Sequence, residues 1–489
     1  MAPHGIRFKH SVITIFIFLA LLWLQWHWRN RIIYRASYGL PPLRQMIPGQ
    51  IVDTEAQIRL WRALEHLLTS NPPGIPRPAQ SGSIPEIKYQ VQEHAFQEMI
   101  SMSDEQVASM KEGHGGFVKG LSVHQLHPVY NKRTRGIVCT AGGGYLPLVV
   151  ITLRLLARLG STLPMEVFLE AGAEYESHIC EVILPILNAR CVILGEILNA
   201  APHPRQIGRF QLKIFSIMFS SFEEVLFLDA DSLPIQDPLR LFESEPFKSK
   251  GLVLWPDFWY PTPSKYFFDI AGISQPSNAL RQATESGQLL ISKKTHWKTL
   301  LMAAYYNYWG PDHYYPLLAQ GGAGEGDKET FIPAARVVSE PFYQVTEKVA
   351  AIGNGDPNTD AMLGNAMLQF DPIEDYRLTS KGIYRTTRPS AEHSPKPFFI
   401  HINLIKFNPK QIYDDKLIMR WPNGSYRRAW TKPEVVMDLL DIDAERMYFE
   451  EAKWAACNLM HRFRDWYGKD DICRKAKEHW EIMYSGERS

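Results

Sequence analysis

An α/β fold, built on a mainly parallel twisted sheet flanked by helices, is what this sequence predicts, and three observations carry the prediction. Short apolar runs alternate with helical patterns across residues 136–231, an order that calls for parallel strands joined by helical crossovers. The runs are continuous rather than alternating, as in Val225-Leu226-Phe227-Leu228, which suits strands buried on both faces. At the end of that run stand two carboxylates, Asp229 and Asp231, and Pro234 then forbids further ladder. They mark the sheet edge at which open α/β proteins bind ligands.

The chain has 489 residues, 45% hydrophobic and 12% aromatic, enough for a large core. A net charge of +1 and the lack of a long basic run argue against a general attraction to nucleic acid. Five cysteines are too few for a disulfide-built scaffold. Cys180 with Cys191, and Cys457 with Cys473, are candidate bridges in an oxidising compartment, with Cys139 left over; in cytosol all five would stay reduced.

The elements follow in order. Residues 1–10 read as a cytoplasmic tail and 11–28 as a transmembrane signal anchor. Residues 12–24 are apolar apart from Thr14, and Trp26 and Trp28 extend them to roughly 25 Å of helix at about 1.5 Å per residue. The segment Gln25-Trp26-His27-Trp28-Arg29 lacks the small residues of a cleavage site, so the anchor is expected to stay and the bulk of the chain to be lumenal. Residues 29–88, rich in proline from Pro41 to Pro85, read as stem with one helical piece at 56–68. The main domain is expected at 89–410 and a helical extension packed on it at 411–489.

Within the main domain, helices are predicted over 90–111, 146–159, 175–187 and 211–219, and strands over 136–140, 165–169, 191–194 and the central run. A strand at 251–256 ends in Asp257, and the small-residue turn Glu285-Ser286-Gly287-Gln288 precedes a strand reaching Ile291. The glycine-rich loop 321–330 carries Glu325, Asp327 and Glu329 and opens a helix at Phe331. A strand over 398–407 offers His401, Asn403 and Lys406 near its end, and the tail reads as helical over 432–466. Asn423-Gly424-Ser425 is a glycosylation sequon.

Two carboxylates crowded at one strand end repel unless a cation or shared proton compensates. A hard divalent ion, Mn²⁺ or Mg²⁺, held by Asp229 and Asp231 together with substrate phosphates, fits that need, with His401 as a third ligand. The turn Ala141-Gly142-Gly143 follows a strand and opens a helix, the geometry by which backbone N–H groups approach a nucleotide; a tight turn without ligand is the plain alternative. Lys213 joins that nucleotide-binding set. Lys406 would neutralise a departing diphosphate. Asp257, Gly287 and Gln288 are candidate sugar contacts, and Asp327 or Glu329 could orient or deprotonate an acceptor hydroxyl. The aromatics Trp255, Trp259, Tyr260, Tyr305, Tyr306, Trp309, Tyr314 and Tyr315 either stack on sugar rings or fill core, and core is expected for most.

Five segments resemble the fungal MNN-type α-mannosyltransferases, glycosyltransferase family 71. They are Arg135-Gly136-Ile137-Val138 with Ala141-Gly142-Gly143, the stretch from Phe222 through Asp229-Ala230-Asp231, Glu285-Ser286-Gly287-Gln288, Gly326-Asp327-Lys328-Glu329-Thr330, and His401-Ile402-Asn403. The resemblance covers roughly residues 130–410. It implies a GT-A-type fold, a Golgi type II membrane protein, GDP-mannose as donor, Mn²⁺, and transfer with retention of the α configuration to a mannan, an N-glycan outer chain or an O-glycan. On it, Asp229 and Asp231 are carried over as ligands of the metal and diphosphate. Ser292-Lys293 departs from the acid-lysine pair expected there and carries no role.

Two other readings stand beside this one. A related transferase could use a UDP-sugar, since Asp-x-Asp does not read the base. A catalytically silent subunit of a mannan-building complex with other Golgi mannosyltransferases would leave the glycan phenotype unchanged when Asp229 or Asp231 is replaced. A glycosidase fits poorly, because hydrolysis needs no metal–diphosphate site.

Overall fold

A computed structural model describes residues 53–124, 126–201, 206–356, 361–382 and 394–486. The tail and anchor expected at 1–28, and the first part of the stem, lie outside these residues. Among the described residues no helix is long and apolar enough to cross a membrane.

Helix α1 (Thr54–Thr69) starts where the Asp53 side chain accepts the Ala56 N–H at 2.9 Å. Its buried stripe Leu60, Trp61, Leu64, Leu67 and Leu68 has helical spacing. Trp61 is fully buried, its ring 5.4 Å from Phe215 and its indole N–H on the Leu198 carbonyl at 2.7 Å. Buried rings of this kind are worth about 3–5 kcal/mol against truncation. The described part of the expected stem is therefore part of the core and not a spacer. Even the proline-rich stretch is docked: Ala79–Gln80 pairs antiparallel with Ile100–Ser101, and Ile84 is buried. Helix α2 (Asp104–Val123) begins later than the predicted 90–111, because Ser103 and Gln106 form a reciprocal capping box there.

The sheet strands and their helices then follow: β1 (Asn131–Thr140), α3 (Leu146–Arg158), β2 (Met165–Leu169), β3 (Ala189–Ile193), α4 (Gln211–Phe219), β4 (Phe222–Leu228), β5 (Ser232–Pro234), β6 (Leu252–Pro256), β7 (Thr284–Ser292), α5 (Trp297–Tyr308), α6 (Phe331–Val337), β8 (Tyr343–Gln344), β9 (Ala350–Gly355), β10 (Met362–Phe370), β11 (Pro397–His401), α7 (Ala444–Leu459) and α8 (Ile472–Tyr484). The large sheet has the order β8-β6-β7-β4-β1-β2-β3. All neighbours are parallel except at β7, which runs antiparallel to both β6 and β4. The sheet is thus mixed and mainly parallel. A second, antiparallel sheet has the order β9-β10-β11-β5.

Alternate residues of the central strands feed two cores. Leu226 and Leu228 pack on one side with α3, α7 and α8; Val225 and Phe227 pack on the other with α1, α4 and α5. Burial on both faces is why these strands read as unbroken apolar runs. The tail is anchored on α3 by a buried Arg154–Glu451 pair at 2.5 Å. Its helices are α7, α8 and the short turn Glu434–Met437, rather than one helix over 432–466. Disulfides join Cys180 to Cys191 and Cys457 to Cys473, and Cys139 is buried and free. Trp255, Tyr305, Tyr306 and Tyr314 are fully buried core residues. Lys293 is buried as well, donating to the carbonyls of Met218 and Ser220, and burial lowers its pKa to about 7.

Candidate active site

The chain leaves the large sheet at Leu228 and enters the small one at Ser232, so Asp229-Ala230-Asp231 forms the joint between them. Backbone bonds pin both acids: the Asp229 N–H donates to the Gly287 carbonyl at 2.8 Å, and the Ile402 N–H donates to the Asp231 carbonyl at 2.9 Å. Ala230 between them is buried, its carbonyl accepting from Thr152 of α3 at 3.3 Å.

Three of the predicted residues come together here. Asp229, Asp231 and His401 each offer a ligand atom, all within 4.8 Å of one another. Pairing in the small sheet sets His401 opposite Ser232, which is how a residue from β11 reaches an acid that follows β4. The donor set, two carboxylates and one imidazole, suits a divalent ion such as Mn²⁺. Asp231 is 4% exposed at its side chain and Asp229 is 30%, so one acid is sunk and the other is half-buried.

Charge around these acids is balanced by cations, of which Lys213 and His401 are buried and Lys406 is half-buried. The Lys406 ammonium sits on Asp231, and His401 Nε2 lies 3.4 Å from the same carboxylate. Burial works to raise the Asp231 pKa, but His401 and Lys406 outweigh it and hold it down at about 2. For Asp229, burial wins over the Lys213 charge and the pKa is raised. Lys213 spans Asp229 at 3.5 Å and Asp327 at 3.4 Å, and donates to the Ser286 carbonyl at 2.5 Å and hydroxyl at 2.8 Å. It is a buried cation of this carboxylate cluster.

Glu285 was not singled out by sequence reading, yet it is central. Its Oε1 lies 3.0 Å from His401 Nδ1 and accepts the Gly287 N–H at 2.6 Å, while Oε2 accepts from the Gln288 amide at 2.5 Å. A signal was available: an acid in a wholly buried strand must be paired. Burial opposes the charge on His401, but flanking Glu285 and Asp231 outweigh it and raise its pKa well above the usual range, so a metal ion at Nε2 would bind with release of that proton. This arrangement turns Nδ1 to Glu285 and Nε2 toward Asp231. Glu285→Gln is expected to weaken Mn²⁺ binding about 10- to 100-fold, read by titration calorimetry. An unchanged affinity would show that Glu285 does not orient the ring.

The remaining predicted residues fall into place differently. In the β6–β7 ladder Leu254 faces Leu289 but Trp255 faces Glu285, so Ser286, Gly287 and Gln288 bulge out of it. The expected turn is therefore a bulge within β7. A Cβ on Gly287 would stand 2.5 Å from the His401 ring, so glycine here makes room for the imidazole. Gln288 is fully buried, accepting from Ser232 Oγ at 2.9 Å and donating to Glu285. Both residues brace the site. Asp257 is tied to Lys328 at 2.6 Å, and Glu329 to Arg281 at 2.6 Å and to the Thr284 N–H at 2.5 Å. Both carboxylates, one expected at a sugar and the other on the acceptor side, are thus paired with buried cations in this structure. Asp327, within reach of Lys213 and of Ser286 Oγ at 3.2 Å, remains with the acids.

The glycine turn lies at the same sheet edge, since Val138 of β1 pairs with Phe227 of β4. Ala141 extends the ladder to the Phe168 carbonyl at 3.0 Å, and Gly143 takes a positive φ of 51° as the chain turns toward α3. Tyr145, next in the turn, is close enough to Lys406 to help Asp231 raise the lysine's pKa against the effect of burial. Asn423 is exposed in a turn, accepting from Ser425 Oγ at 2.7 Å.

The chain is similar in sequence to known mannosyltransferases. The model of the mannosyltransferase family Mannosyl_trans3 matches residues 134–282 and 276–371. The alpha-1,2-mannosyltransferase MNN21 of Candida albicans is 32% identical over 455 residues, covering 80% of this chain and 68% of the relative. For MNN2 of Saccharomyces cerevisiae, also an alpha-1,2-mannosyltransferase, identity is 33% over 459 residues, covering 80% and 75%. MNN24 of Candida albicans is 32% identical, and there the chain spans 64% of the relative's length. Among solved structures, the glycosyltransferase GlyE of Streptococcus pneumoniae aligns with a TM-score of 0.32 and 14% identity, over 65% of this chain and 62% of that one.

Proposed function

The chain belongs to the mannosyltransferase family that includes these fungal alpha-1,2-mannosyltransferases, and from that premise we propose that it transfers mannose from GDP-mannose to a mannose-containing glycan. The linkage formed is α-1,2, by analogy with the relatives, and the α configuration of the donor is retained. The observation that carries this reading is the cluster of Asp229, Asp231 and His401 at the joint between the two sheets. A GT-A-type arrangement is supported by the mainly parallel sheet with its single antiparallel strand β7 and by acids at the end of β4.

Asp229, Asp231 and His401 would hold Mn²⁺ or Mg²⁺, which supplies Lewis-acid neutralisation of the diphosphate leaving group. Lys406, partly exposed beside Asp231, adds a positive charge on the same side for that diphosphate. The turn Ala141-Gly142-Gly143 presents backbone to the nucleotide. Lys213 and Ser286 keep Asp327 in place, where it can accept a hydrogen bond from a sugar hydroxyl. Burial of Asp231, Glu285 and Asp327 keeps water out and strengthens each of these charge interactions. Residence in the Golgi membrane as a single-pass type II protein is part of the proposal, supported by the two disulfides, which suit an oxidising lumen, and by the apolar run at 12–24.

The test is transfer from labelled GDP-mannose to mannobiose with Mn²⁺, followed by linkage analysis. An α-1,2-linked product that disappears on chelation is expected. Transfer from a UDP-sugar with none from GDP-mannose would reject the donor assignment. A purified, folded chain with no transfer from any donor would favour the scaffold reading.

A further inference from the structure

Beyond β11 the chain runs from Lys406, whose ammonium sits on Asp231, to Asn408 two residues later. Asn408 is buried, and every hydrogen-bonding position of its amide is filled. Nδ2 donates to the Gly144 carbonyl at 2.9 Å and to Asp465 Oδ2 at 3.2 Å. Oδ1 accepts from the Trp466 indole N–H at 2.9 Å and from the Lys410 N–H at 3.0 Å. An amide offers two donors and two accepting lone pairs, so none is left over. A buried amide satisfied in this way has one orientation, and it fixes the groups it joins.

Three segments meet at that side chain. Gly144 belongs to the glycine turn that opens α3, and Lys410 to the segment that carries Lys406. Asp465 and Trp466 come from the bend between α7 and α8 in the C-terminal tail. The tail also holds Phe407, between Lys406 and Asn408. Its ring lies 5.6 Å from that of Trp430, and its carbonyl accepts from the Tyr448 hydroxyl of α7 at 2.7 Å. The bend itself is braced from several sides. The Cys457–Cys473 disulfide closes it, Asp465 Oδ1 pairs with Lys410 at 2.9 Å, and the Arg464 N–H donates to Glu176 at 3.0 Å.

The glycine turn and Lys406 serve two parts of one donor molecule, the nucleoside and the diphosphate. One ligand reaches both only if their separation is right, and the Asn408 amide is a direct tie between the two segments.

We infer that Asn408 is a positioning residue of the donor site, holding the glycine turn at a set distance from Lys406. Through Asp465 and Trp466 the C-terminal tail becomes part of that site. The inference rests on the transferase reading and gives the tail a part in binding the nucleotide sugar.

The experiment measures GDP binding with Mn²⁺ by calorimetry, and kcat and KM for GDP-mannose, in the wild type, Asn408→Asp and Asp465→Ala. Asn408→Asp keeps the size and the acceptor for Trp466, but sets an oxygen against the Gly144 carbonyl and Asp465. A folded Asn408→Asp chain is expected to bind GDP about tenfold more weakly, with a matching rise in donor KM and kcat within about threefold of wild type. Asp465→Ala, at a half-buried position, should shift both in the same direction by about threefold. It carries the test should Asn408→Asp fail to fold in thermal melts. Wild-type GDP affinity in the folded variants, or a loss carried by kcat with KM unchanged, would overturn the inference. A wild type that binds no GDP with Mn²⁺ would instead reject the donor reading beneath it.

Discussion

Asp231→Asn should lower kcat for mannose transfer on the order of 10²- to 10³-fold, as expected when a group that stabilises developing charge is lost. The substitution removes a candidate metal ligand and strands two cations, Lys406 and His401, that now share its carboxylate. Its effect should exceed that of Asp229→Asn. Burial of Asp231 is outweighed by His401 and Lys406, so its pKa is about 2, whereas burial raises that of Asp229. A depressed carboxylate pKa stabilises the folded state above the unfolded value of about 4 and loses that contribution as pH falls toward 2. Mild acid therefore does not mimic the mutant. The checks are steady-state kinetics with GDP-mannose and Mn²⁺ titration by calorimetry, with thermal melts to confirm folding. More than a tenth of the wild-type rate in a folded Asp231→Asn protein would remove the metal site from the mechanism.

Lys213→Met is expected to destabilise the fold by about 3–5 kcal/mol, because breaking a buried ion pair leaves its partners uncompensated. Lys213 is buried among Asp229, Asp327 and the Ser286 carbonyl, and although burial opposes its charge, Asp229 and Asp327 raise its pKa. Methionine keeps most of the volume but removes the charge, and with it the ammonium that stands 4.9 Å over the Phe227 ring. Added Mn²⁺ should recover part of the loss, since a cation near Asp229 relieves the same repulsion. Urea unfolding with EDTA and with Mn²⁺ measures both effects. Equal stability of mutant and wild type in EDTA would mean that Lys213 does not balance these acids.

The same electrostatics explains which site residues could be read in advance. Asp229 and Asp231 announce themselves because an apolar strand ends in two acids, and the glycine turn because it follows another such strand. In sequence Glu285 sits in a stretch with the look of a small-residue turn, whereas it belongs to β7 and faces a histidine 116 positions later. Glu329 and Asp257 look like free loop acids in sequence; Arg281 and Lys328 occupy them in the fold. The helix over 56–68 was legible from its periodicity, but its placement against Phe215 and Phe219 was not.

From the order of residues alone came the parallel core of the sheet, the helix over 211–219, both cysteine pairs and the acids at the end of β4. Hydrophobic period and strand-end punctuation are local properties, and they survive in one dimension. Pairing of β7 against its neighbours, docking of α1 and the meeting of His401 with Asp231 and Glu285 needed the folded chain. Those contacts join residues far apart in sequence, and their energy depends on burial and distance, which exist only once the two sheets have packed.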